Sequence, residues 1–303
     1  MNSYTLKKRA DKALVTAGKY IILLGVCFII LYPLFSKFVI AFMDRQDLMD
    51  ASVKYIPKNF TFNNIRSAIS AVNYFPSLLK STAFILSLSV LQIFSTMLAG
   101  YGFARFDFPL KSVFFMCVLF TLIVPNQITS VPIYIYFNNF NLFGLLGSGG
   151  IRLLDTPVPM FLLSLTAVGL NNGLYIFLFR QYFSAFPKEL EEAAGIDGAN
   201  ALRTFGSIIV PSSKPMIVTC FLFSFVWQWT DNFYLNTFWP KNSFLITLIE
   251  RLPLSVWMQN PDDYWRSIMN NCGILLVIVP LIVLYLFLQR YFVESMERSG
   301  LVG

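Results

Sequence analysis

Three glutamates, Glu189, Glu191 and Glu192, fall within four positions in a chain that has only 16 acidic residues among 303. Neighbouring carboxylates can act as general acid and base, but such a pair needs a cleft and usually a metal, and no second acidic cluster completes one. The sequence has no histidine, which excludes imidazole ligands, imidazole bases and Ser-His-Asp triads within the chain. The four cysteines, Cys27, Cys117, Cys220 and Cys272, are far apart, lack CxxC spacing and lie in or beside apolar runs; they read as small apolar fillers. No GxxxxGK[ST] loop is present, so the chain is expected to bind no nucleotide, and no metal, of its own. A second cluster, WQWTDNFY from Trp227 to Tyr234, combines aromatic faces with Gln228, Asp231 and Asn232, groups suited to hydroxyl-rich solutes. An interfacial aromatic belt explains the same residues equally well. The amides Asn126, Gln127, Asn270 and Asn271 are weaker path candidates, because interhelical hydrogen bonds would also satisfy them.

The elements that must carry these groups follow from composition. Hydrophobic residues make up 56% and charged residues 13%, and the mean hydropathy is +0.63; a soluble chain cannot hide so much apolar surface, so an all-α membrane protein is expected. Long gaps between charges, set against the roughly 20 helical residues that cross a bilayer, predict six transmembrane helices at about 20–43, 81–104, 112–136, 156–180, 214–238 and 267–290. Residues 1–19 form an amino tail and 294–303 a carboxyl tail around a membrane domain at 20–293. Lys7, Lys8, Arg9, Lys12 and Lys19 precede the first span, which places both termini in the cytoplasm by the positive-inside rule. That span is too long for a signal-peptide core and reads as a retained anchor. The net charge of +7 is thereby read as topology, with no nucleic-acid partner. Lys37, inside the first span, lies close enough to its outer end to snorkel.

The polar segment 184–215 is too charged to span. Pro187 is expected to open a helix whose first turns hold the three glutamates, opposing the macrodipole. Asp197 is expected to cap a second helix from Gly198 or Ala199, ended by Pro211 and Pro215. Glu192-Ala193-Ala194, then Gly198 after three intervening residues, and Ile208-Ile209-Val210-Pro211 after nine more resemble the EAA loop of binding-protein-dependent ABC importer permeases, E-A-A-x3-G-x9-I-x-L-P, with Val210 the one departure. KELEEAAGIDGA resembles the form found in carbohydrate importers of the maltose type, and PNQITSVPIYIYF, FLFRQYF and LQRYFV extend the likeness over roughly residues 20 to 303.

The resemblance implies a type I ABC importer permease fold with a cytoplasmic coupling helix in the inner membrane. It implies Glu192, Ala193, Ala194, Asp197, Gly198, Ile208 and Pro211 as the ATPase-coupling residues, with ATP and Mg bound on partner subunits. The implied partners are a second permease, two ATPase subunits and an external sugar-binding protein, besides membrane lipid. Gln127, Gln228, Trp229, Asp231 and Asn232 are the candidate substrate path. The outer segment 236–265, with Leu252, Pro253, Leu254 and Ser255, reads either as a loop that docks the binding protein or as a short interfacial helix. The carboxyl tail keeps the small character of the family's ATPase-contacting tails but lacks their lysine. Because no Lys or Arg lies away from the ends of spans two to six, a neutral di- or oligosaccharide is expected, with an acidic sugar or sugar phosphate as the alternative. An ion-coupled secondary transporter would show buried charge pairs in several spans, and the spans hold only Lys37 and Asp231.

Overall fold

The computed structural model describes residues 3–145, 150–259 and 261–300, with side chains for 12–142, 144–145, 150–259 and 261–291. In chain order the helices are α1 (Ser3–Ala41), α2 (Arg45–Met49), α3 (Asn63–Ala71), α4 (Tyr74–Arg105), α5 (Lys111–Phe120), α6 (Asn126–Asn138), α7 (Val158–Leu165) and α8 (Asn172–Ser184). They continue as α9 (Glu189–Ile196), α10 (Ala201–Thr204), α11 (Val210–Ser212), α12 (Lys214–Thr230), α13 (Phe233–Phe238), α14 (Leu245–Gln259) and α15 (Asp263–Gly300). A π-helical turn, Phe205–Ile209, joins α10 to α11. Among the described residues the only β pairings are isolated bridges, Met43 with Phe60 and Phe140 with Ile151.

Two compact units result, Met1–Tyr74 with Ile249–Ile278, and Phe75–Leu248 with Val279–Gly303. In the first, polar side chains stand in for missing regular structure. Asn64, 4% exposed, donates its Nδ2 to the carbonyls of Ala41 and Met43 at 3.0 and 2.7 Å and so caps the end of α1. Buried Asp47 accepts from the backbone and side-chain nitrogens of Asn59, both at 2.8 Å, closing the connection between α1 and α3. Arg45 pairs with Asp262 at 2.8 Å.

Three helices are long and apolar enough to cross a membrane singly: Lys12–Ala41, Tyr74–Arg105 and Asp263–Tyr291. The other three expected spans are not single helices. The segment 112–136 is divided between α5, which ends at Phe120, and α6, which starts at Asn126 after Pro125, itself extended at φ −60° and ψ 135°. The segment 156–180 is divided between α7 and α8 by a connection that holds Ala167 and Asn171 at positive φ. The segment 214–238 breaks at Asp231, whose carboxylate turns back to accept from the backbone N–H groups of Phe233 and Tyr234 and starts α13. At the other end, α15 remains helical to Gly300, beyond the expected boundary at 293, while residues 301–303 of the expected tail lie outside the described residues. Cys220 and Cys272 are buried, but Cys27 and Cys117 are exposed on apolar helix surfaces.

In the second unit α4 approaches α8 closely at Gly100. A Cβ on Gly100 would stand 2.5 Å from the Cβ of Phe179 and 3.0 Å from the backbone nitrogen of Arg180. Only a residue without a side chain lets the helices approach so closely. Gly102, one step on, has nothing within 4 Å. Gly100→Val should therefore destabilise the protein by about 1–3 kcal/mol, the usual cost of overpacking. Gly102→Val should stay within about 0.5 kcal/mol of wild type; thermal unfolding of the detergent-solubilised protein checks the contrast.

Candidate functional site

The segment 184–215 folds onto one end of the second unit. Beneath it lies an aromatic core in which Tyr101, Phe179, Phe183, Phe205 and Ile209 are all buried. Its first helix, α9, starts at Glu189 with Lys188 in the capping position, two residues later than the Pro187 start expected. The helix presents two unlike faces. Ala194 is 5% exposed and faces the core, whereas Leu190 and Ile196 are exposed apolar residues, Ile196 at 88%. Glu192, Ala193, Asp197 and Gly198 are exposed on the outer side.

Gly198 holds φ at +81° with nothing within 4 Å of its missing Cβ. The backbone nitrogens of Gly198 and Ala199 donate to the carbonyls of Gly195 and Ala194 at 3.0 and 2.9 Å, closing the turn after α9. Glycine is required here by backbone conformation and not by space.

Asp197 does not cap the second helix. Asn200 does, its Oδ1 accepting from the Arg203 nitrogen at 2.9 Å; the glycine turn uses up the residues between, so the cap falls three positions later. Pro211 does not end the run, since it occupies the first turn of α11, where its missing N–H costs nothing. The stop comes at Ser213, where Ala201–Ser212 and Lys214–Thr230 meet at 77°. Of the two adjacent isoleucines, Ile209 rather than Ile208 is fully buried.

Glu191 is turned inward. It reaches Arg105 at the end of α4, with Nε and Oε1 2.7 Å apart and the side chains 6% and 21% exposed. The N–H does not point along that line, so the contact is an ion pair more than a hydrogen bond. The same guanidinium donates from Nη2 to the Phe186 carbonyl at 2.7 Å, and the Tyr101 hydroxyl lies 3.4 Å from Glu191 Oε2.

A second polar assembly lies thirteen residues back along α4. Gln92, 1% exposed, donates to the Leu170 carbonyl at 2.6 Å and to the Asn172 Oδ1. Its own Oε1 accepts from the Ser224 hydroxyl at 2.5 Å and from Gln228 Nε2 at 2.7 Å. One amide thus ties α4, the break between α7 and α8, and α12.

The expected path residues do not share one surface. Gln228 and Asp231 border a cavity of about 30 Å³, room for about one water and no sugar ring. Gln127 borders a separate cleft of about 450 Å³ with Asn126, Asn171 and Trp227. Trp229, 2% exposed, stacks on Phe225 with centroids 5.7 Å apart and is part of the packing. Asn232 occupies the N-cap position of α13 without a side-chain cap bond, which Asp231 supplies instead. Gln92 and Asn172 were not foreseen; the available signal was a single strong amide inside the charge-free run 81–104.

Of the outer segment 236–265, the four residues singled out lie within α14. Leu252 is 2% exposed and packed inside, Pro253 sits within α14, and Ser255 returns its hydroxyl to the Leu252 carbonyl at 2.9 Å. Leu254 is exposed and, with Pro253, borders a charged cleft with Glu250, Asp263 and Arg266.

Residues 92–298, which contain both assemblies, match the family described as "Binding-protein-dependent transport system inner membrane component". The chain belongs to that family. It is therefore a multi-pass inner-membrane component of a transport system and not an enzyme. The sn-glycerol-3-phosphate transport system permease protein UgpE of Escherichia coli O1:K1 / APEC is 29% identical over 288 residues, covering 92% of this chain and 94% of that one. Its counterpart in Yersinia pestis bv. Antiqua (strain Antiqua) is 30% identical over the same length and coverage. A crystallised chain of a bacterial ABC transporter involved in the import of the acidic polysaccharide alginate superposes with a TM-score of 0.67 at 20% identity, covering 94% of this chain and 98% of that one. The permease fold is thus shared.

Replacing Gln92 with leucine would strand the Leu170 carbonyl and the groups on Ser224 and Gln228 together. Each buried group left unpaired costs about 1–3 kcal/mol, so Gln92→Leu should lower the unfolding midpoint of the purified permease more than any single change at Ser224.

Proposed function

We propose that this permease forms half of the membrane path of an ATP-driven importer for a hydroxyl-rich solute of the sugar class, and that α9 is its coupling helix. The observation that carries the reading is the geometry of the 184–215 segment. A short helix exposes Leu190, Glu192 and Ile196, is closed by Gly198 at φ +81°, and stands on a buried aromatic base. An apolar, acidic knob on a rigid base suits a cleft in an ATPase subunit, with Glu192 meeting cations at the cleft and Ile196 and Leu202 filling it.

On this reading the broken pairs α5 with α6, α7 with α8, and α12 with α13 each make one crossing, giving six, with both termini and α9 on the cytoplasmic side. A second permease completes the path, two ATPase subunits bind ATP and Mg, and a sugar-binding protein delivers the solute at the opposite face. Alternating closure of the ATPase pair would push α9 and so reshape the path.

The cavities bordered by Gln228, Asp231, Gln127 and Asn171 offer amides, one carboxylate and rings, and no Lys or Arg. That supports a neutral saccharide, since an unpaired anion is costly to desolvate. The second reading, a sugar or polyol phosphate, is favoured by the names of the 29–30% identical relatives. Uptake of labelled neutral oligosaccharide against sn-glycerol 3-phosphate by the reconstituted complex separates the two. Uptake of the phosphate alone would reject the neutral reading.

Gly198 supplies the test of coupling. A left-handed backbone costs a non-glycine residue roughly 1–2 kcal/mol, asparagine pays least and a β-branched residue most. Gly198→Val should abolish uptake while membrane insertion is unchanged, and Gly198→Asn should retain most of it. Equal loss in both would mean that the position serves close contact instead of a turn.

A further inference from the structure

The two carboxylates that lead the EAA sequence point opposite ways, Glu192 outward and Glu191 inward to Arg105. Resting on the reading of α9 as the coupling helix, we propose that Arg105 and Glu191 are positioning residues for energy coupling. Together they make the loop and the end of α4 one rigid piece, and neither need touch the ATPase.

Three observations converge on this. First, one guanidinium holds two separate points of the loop, the Phe186 carbonyl just before Pro187 and the Glu191 carboxylate within α9. The planar guanidinium donates from Nη2 to the carbonyl while its Nε side sets the charge beside the carboxylate, a fixed arrangement that the compact, freely rotating ammonium of a lysine does not reproduce. Second, the pair is largely buried, with the Arg105 and Glu191 side chains 6% and 21% exposed. A buried ion pair is a poor stabiliser compared with an apolar replacement, so what it offers in return is one fixed geometry. Third, α4 is a suitable member to receive a push. Gly100 seats it against the backbone of α8, and Gln92, about 20 Å along the helix from Arg105 at 1.5 Å per residue, grips the α7–α8 break and α12. A displacement of α9 that could only flex a loose loop would, with the pair intact, be delivered to α4 and the wall of the path.

The experiment uses the complete complex in proteoliposomes and measures solute taken up and ATP hydrolysed in the same vesicles, so that their ratio is the readout. Variants are Glu191→Gln, Arg105→Gln, the double change, and Arg105→Lys, which keeps the charge but not the fork. A merely structural role would lower uptake and hydrolysis in proportion and leave the ratio alone. The proposal expects the ratio to fall by about fivefold or more in each single variant, the lower end of ordinary coupling energies. The double change should fall less than the sum of the singles, as residues in contact do. Arg105→Lys should assemble with its partners and still lose part of the ratio. A wild-type ratio in Arg105→Lys and Glu191→Gln would overturn the positioning role. Ile196→Asp, on the exposed face, tests the underlying reading separately. If it releases the ATPase subunit while the pair variants keep their ratio, the positioning role alone fails; if it changes neither assembly nor uptake, the coupling-helix reading fails and the proposal with it.

Discussion

A helix can be interrupted inside a bilayer only where protein replaces the hydrogen bonds that water would otherwise supply. In this chain that constraint falls on Gln92. The connection between α7 and α8 leaves the Leu170 carbonyl without a helical partner, and the Gln92 amide reaches across from α4 to satisfy it while accepting from Ser224 and Gln228 on α12. The break, the straight helix and the bent one therefore depend on a single side chain, with both ends of its amide used. Gly100 sets how near α4 stands to α8. Without that closeness the amide would fall short.

The loop obeys the same accounting at the water interface. Its backbone is held by two short-range devices, a left-handed glycine and the Asn200 cap, and by one distant group, the Arg105 guanidinium that binds the Phe186 carbonyl. Ile196 and Leu202 are left largely outside, at 88% and 79% exposed, and contribute little packing to the loop. Structure and exposed surface are thus separable in this segment. A change outside can alter what the loop meets without altering how it is held.

Much of the architecture could be read from charge spacing, because charges are what a bilayer excludes first. The long runs around 20–43, 81–104 and 267–290 became α1, α4 and α15. The third run is broken at Pro125, a residue type that marks an interruption, whereas the fourth is broken where Ala167 and Asn171 hold positive φ, which leaves no mark in a charge pattern. In the loop, the position of Gly198 was legible because glycine is the residue that takes a left-handed turn at least cost. The cap was not, since Asp197 and Asn200 are equally good capping residues and the turn geometry chose between them. The inward course of Glu191 depended on Arg105, a residue some ninety positions away, which no local pattern could supply.

The amino-terminal helix has an apolar stretch of quite different character. Across its best membrane-spanning window none of its residues is buried, whereas just over half are in α4. Its 30-residue segment Lys12–Ala41 would rise about 45 Å against a hydrocarbon thickness of about 30 Å. Such a helix adapts to a thicker or thinner bilayer by changing its tilt, at a cost of fractions of a kcal/mol per Å of mismatch. Any such adjustment falls to the exposed stretch before Val39, because the end of the helix is fixed, with Val39 and Ala41 buried and Asn64 bound to the Ala41 carbonyl.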